Sequence, residues 1–120
     1  MLYAILCYNS EAMVGAWPKE KEDAVMDHHV GVVNRLAAQG KARPAARLMP
    51  TTAATTVRVG RKPVVFDGPF AETKEQLLGF YLIECASLDE AINLATELAD
   101  EGSAMEIRPV LSYVTGTAAP

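Results

Sequence analysis

Two stretches of this chain, Leu2 to Tyr8 and Gly79 to Ile83, are apolar at odd and even positions alike. A strand with one face in water alternates apolar with polar residues, so a run without alternation needs cover on both faces. Only two long helical patterns accompany these runs, and two helices can cover one face of a small sheet. The other face would be an apolar patch larger than monomers ordinarily expose. A second copy of the chain is therefore expected against it, giving a homodimer.

Local chemistry sets the elements between these runs. Asn9 to Trp17 reads as a connection. Pro18 suits the first turn of a helix, and Glu20, Glu22 and Asp23 suit the positive end of its dipole. This helix runs to about Gln39 and stops at Gly40-Lys41, with Val25, His29, Val32, Val33 and Leu36 on one stripe and His28 at its edge. Ala42 to Met49 reads as a short strand or extended segment ended by Pro50. Thr55 to Val59 and Pro63 to Phe66 form a hairpin around Gly60-Arg61-Lys62. Ser87 and Glu90 form a capping box that opens a helix from Leu88 to about Asp100, and Ala104 to Leu111 is the last strand. Thr115 to Pro120 is small, uncharged and expected to fray. Strand, helix, strands, strand, helix, strand describes a ferredoxin-like α+β domain, an antiparallel sheet with two helices on one face.

A length of 120 residues leaves room for one domain. Half the residues are hydrophobic and the net charge is −4, with Lys and Arg scattered, so direct nucleic-acid binding is not expected. The first apolar run lacks a positive leader and is too short to span a membrane. Cys7 and Cys85 sit inside predicted strands, and reduced thiols in a cytoplasmic protein are the ordinary reading. Two cysteines and two adjacent histidines do not make a metal site, and no glycine-rich phosphate loop follows a strand, so neither metal nor cofactor is expected.

The connection after Phe66 is the distinctive stretch. Asp67-Gly68 opens a turn, but Pro69 follows, and the chain travels much further than a hairpin needs before Gly79. Asp67 can bond its own backbone, Gly68 can take positive φ and Pro69 locks φ, so a rigid corner results. Thr73 with Gln76 reads as a capping box for a short helical turn.

The run DGPFAETKEQLLGFYLIE, Asp67 to Glu84, resembles the signature of the DGPF-domain branch of the YCII-related family. TTVRVG (Thr55 to Gly60) and EIRPV (Glu106 to Val110) resemble it too, in the same order. The resemblance implies a dimeric α+β barrel, sheet facing sheet, and a first-helix His working with an Asp, which here are His29 and Asp67.

Tyr8 and Asn9 at the end of the first strand, together with Arg58, are candidates to line the same cavity, and Gly68, Pro69 and Phe70 are candidate binding residues at the corner. Tyr3, Phe80 and Tyr81 read as sheet core, and no serine has a nucleophile-elbow context. Two classes stay open. One is a cofactor-independent acid–base lyase or isomerase acting on a small molecule in the barrel cavity. The other is a non-catalytic dimer that binds a ligand or a protein, for which the family implies a regulatory partner linked to an alternative sigma factor.

Overall fold

The computed structural model describes residues 1–116. The expectation of a frayed end falls largely on residues 117–120, outside the described residues. Strand β1 (Leu2–Asn9) is followed by a short helix α1 (Glu11–Gly15) and a long helix α2 (Lys19–Ala38). A two-residue strand β2 (Ala46–Arg47) precedes a hairpin of β3 (Thr55–Val59) and β4 (Pro63–Asp67). Strand β5 (Gln76–Glu84), helix α3 (Leu88–Leu98) and strand β6 (Ala104–Pro109) complete the chain.

The main sheet has the order β2-β5-β1-β6, antiparallel throughout. Leaving the hairpin aside, that is the ferredoxin-like order, with the first strand central beside the third and fourth. The β3–β4 hairpin forms a separate two-stranded sheet inserted between β2 and β5. It projects as an arm. The radius of gyration is 16.2 Å, against roughly 13–14 Å for a compact chain of this length.

Cross-strand register sorts the sheet residues by face. Tyr3 lies opposite Ile83 and Ile5 opposite Tyr81 and Ile107, and this row meets Val32 and Leu36 of α2 and Ala91, Leu94, Ala95 and Leu98 of α3 in one core. Ile5, Ile83 and Leu98 are essentially sealed from water, each such burial stabilising by about 1.5–3 kcal/mol. The opposite face carries Ala4, Leu6, Phe80 and Leu82, all half-buried, with no helix over them.

Helix ends follow their chemistry. α2 closes in a Schellman motif: Gly40 takes φ 73°, its N–H reaches the carbonyl of Ala37, and the Lys41 N–H reaches that of Leu36. Ser87 caps α3 by accepting from the Glu90 N–H at 3.2 Å, and the Glu90 carboxylate accepts from Ala86 rather than from Ser87. α1 corrects the expected plain connection. Ser10 accepts from the Met13 N–H, and a helix of five residues is too short to show a period. The helical turn expected at Thr73–Gln76 does not form. Gln76 instead starts β5, its amide donating to the Thr73 carbonyl at 2.6 Å and accepting from the Glu11 N–H at 2.9 Å.

Candidate functional site

A cavity of about 390 Å³ lies between α2 and the sheet, where the ends of β1, α3 and the start of β6 converge. A bulge builds one wall. The β1–β5 register shifts between Cys7 and Tyr8, where Cys7 pairs with Gly79, Tyr8 with Leu77, and Leu78 is left over. Alternation is broken on β5, the strand with the extra residue, and Leu78, Gly79, Phe80 and Tyr81 border the cavity in succession, facing Cys7, Tyr8 and Asn9 at the end of β1. Trp17, Val25, Met26 and Val33 close it from the helix side. Such an apolar lining with a few convergent polar groups is the usual form of a small-molecule site.

His29 is the polar centre. Its Nε2 lies 3.0 Å from the Leu98 carbonyl oxygen and 3.5 Å from Asp100 Oδ2. A carbonyl can only accept, so Nε2 carries hydrogen and Nδ1 is the basic atom of the neutral ring. Nδ1 has no hydrogen-bond partner among the described residues. Next to it, His28 Nε2 donates to the Glu97 carbonyl at 2.7 Å. The two imidazoles thus serve the last carbonyls of α3, which ends without a glycine cap. His28 stops at that role on the exposed side. His29 adds a place on the cavity wall and a carboxylate neighbour.

Two weak acids beside His29, a thiol and a phenol, stay protonated. Burial first, then the Asp100 charge, pushes the Cys7 thiol up to about 11, so it is not a thiolate nucleophile near neutrality. Tyr81 is pushed up to about 12, by burial first and then by Cys7 and Asp100. Its ring meets that of His29 edge-on, with centroids 6.1 Å apart. The phenol therefore remains a hydrogen-bond donor at any ordinary pH. Asn9 is 5% exposed, and its amide accepts from the Ser10 N–H and donates to the Glu101 carbonyl. It braces the β1–α1 corner more than it faces a ligand.

Of the residues singled out from sequence, His29, Tyr8 and Asn9 share this cavity. Asp67 does not line it within one chain: it is exposed at the end of β4, on the arm, paired across the hairpin with Thr55. Arg58 is exposed on the same arm. Gly68 and Pro69 border a separate recess with Thr51, Thr73 and Gln76, and Phe70 is 72% exposed. The corner itself is as expected in conformation, with Gly68 at φ 99°, its N–H donating to the Ala54 carbonyl and its carbonyl accepting from the Thr56 hydroxyl.

Asp100, Arg47 and Trp17 also border the cavity and are not among the residues singled out from sequence. Asp100 sits beyond the last turn of α3, and nothing local marks it as the partner of a group on another helix. Tyr81 carried a usable signal, since it shares strand parity with buried Ile83 and so points to the helix side.

A family model of the YCII-related domain matches residues 1–113 of the chain. An uncharacterized protein of Rhizobium meliloti (strain 1021) is 51% identical over 120 residues, spanning 97% of this chain and 97% of its own. With the ferredoxin-like strand order and a match across nearly its whole length, the chain belongs to the YCII-related family.

Proposed function

We propose that the protein is a cofactor-independent acid–base catalyst of the DGPF branch, a lyase or isomerase acting on a small molecule held between α2 and the sheet. One observation carries this reading: the apolar cavity has in its wall an imidazole whose Nε2–H is fixed by Leu98 and Asp100 and whose Nδ1 is unoccupied. An imidazole so oriented can take a proton from a bound molecule at Nδ1 and return it, while Asp100 stabilises the imidazolium. Tyr81, still protonated, can donate to an oxygen on which charge develops. The test is solvent-deuterium incorporation into small carbonyl and lactone compounds, followed by NMR. Exchange that requires the protein and disappears in His29→Gln supports the reading, whereas exchange that persists in that variant, or none with any compound that binds, defeats it.

A second observation supports self-association. The face bearing Ala4, Leu6, Phe80 and Leu82 has no cover, and Leu48 and Met49 beside β2 are exposed. We infer a homodimer joined through these sheet faces. In this reading Asp67 and the Gly68-Pro69-Phe70 corner act on ligand only where a partner copy's arm lays them over the cavity. The non-catalytic alternative keeps the same dimer with a ligand or a regulatory protein as its object.

A further inference from the structure

The charged groups around the cavity are not spread evenly. His29 and Asp100 are largely enclosed, with side chains 18% and 25% exposed, whereas Arg47 and Glu22 are about half exposed at 51% and 45%. The cavity thus has an inner polar end and a charged mouth. Arg47 is the one permanent cation among the residues that border it, and its guanidinium is poorly used. Nη2 meets a single Glu22 oxygen at 3.3 Å, and Nη1 is turned to the Met26 thioether sulfur at 3.2 Å, a weak acceptor. By contrast, Arg35 grips Glu97 with two bonds of 2.6 and 2.7 Å. A guanidinium offers five donors in a planar fork that matches a carboxylate with two parallel bonds.

We propose that the ligand of this cavity is a small monocarboxylate with an apolar body, its carboxylate gripped by Arg47 at the mouth in place of Glu22. The inference rests on the cavity being the binding site and adds the chemical class of its occupant. Polarity fixes the orientation. A carboxylate pushed inward would face Asp100, while at the mouth it keeps part of its hydration and gains the fork. The apolar body then lies against Trp17, Val25 and Met26 and brings its far end to His29. An organic cation fits less well, because Arg47 repels it at the mouth and the inner carboxylate, Asp100, already faces the hydrogen-bearing Nε2 of His29.

The full-length protein can be titrated with phenylacetate, phenylacetamide and phenethylamine, followed by NMR of the Met26, Tyr81 and His29 signals. Phenylacetate should bind about tenfold or more tightly than phenylacetamide, as expected for a charge-assisted fork. Arg47→Gln should abolish that preference, and Glu22→Gln, which frees the guanidinium, should strengthen phenylacetate binding. Equal binding of acid and amide, tighter binding of the amine, or a preference that survives Arg47→Gln would overturn the carboxylate assignment while leaving the site intact. Failure of all three probes to move cavity signals would overturn the site and this inference with it.

Discussion

At the scale of single residues, His29 has its carboxylate neighbour in the chain's own α3–β6 corner. The ring signals of His29 in an NMR spectrum should shift in Asp100→Asn and stay in place in Asp67→Asn. A shift confined to Asp67→Asn would mean that a partner copy's arm supplies the pairing carboxylate instead. The place of His29 on a buried stripe was legible because a helix repeats every 3.6 residues, and Tyr8 and Asn9 were legible as the end of an apolar run. Their partners were not. Asp100, Arg47 and Trp17 reach the cavity only when three elements distant in sequence converge, and no local period records that convergence.

Among the elements, β5 shows what the sheet demands of one backbone position. A Cβ added at Gly79 would lie 2.5 Å from the Ala46 carbonyl oxygen and 3.2 Å from the Arg47 Cα, both backbone atoms. Gly79 is therefore what lets β2 pair at all. Gly79→Ala should cost about 1–3 kcal/mol or more by overpacking and should loosen Arg47 from the cavity mouth. Gly68→Ala has open space around its Cβ but must hold φ 99°, so a cost of about 1 kcal/mol is expected there. Urea unfolding midpoints of the two variants check the order, and an unaffected Gly79→Ala would show that β2 is not held by close approach. The long elements were readable because apolar runs, caps and Gly40 agree at each. The short ones, α1 and the two residues of β2, depend on single side-chain bonds and on one bare glycine, which leave almost no pattern.

For the whole molecule, an uncovered sheet face predicts self-association with an interface of at least about 1,600 Å². Sedimentation equilibrium should give twice the chain mass of 12.9 kDa, and Phe80→Glu should drive it to monomer. A wild-type protein that stays monomeric at micromolar concentration refutes the dimer. Stability should also fall on the acid side. The Lys41 ammonium holds the Glu90 carboxyl, and the Arg35 guanidinium the Glu97 carboxyl, below the usual carboxylate range. A depressed folded pKa stabilises above the unfolded value, near 4.3, and the benefit is lost as pH falls through the folded value. Both pairs are open to solvent, so the effect is modest and weakened by salt. The urea midpoint difference between wild type and Glu90→Gln/Glu97→Gln should accordingly shrink from pH 6 to pH 3. The arm has a different standing from everything else in the fold. It pairs with none of the four strands, and its Val57, Val59, Val64 and Val65 are all exposed. The core can therefore tolerate wide variation in the arm's length and surface, and the arm can be retuned to new contacts without renegotiating the sheet. In this architecture the arm is a replaceable module and the cavity is the fixed chassis.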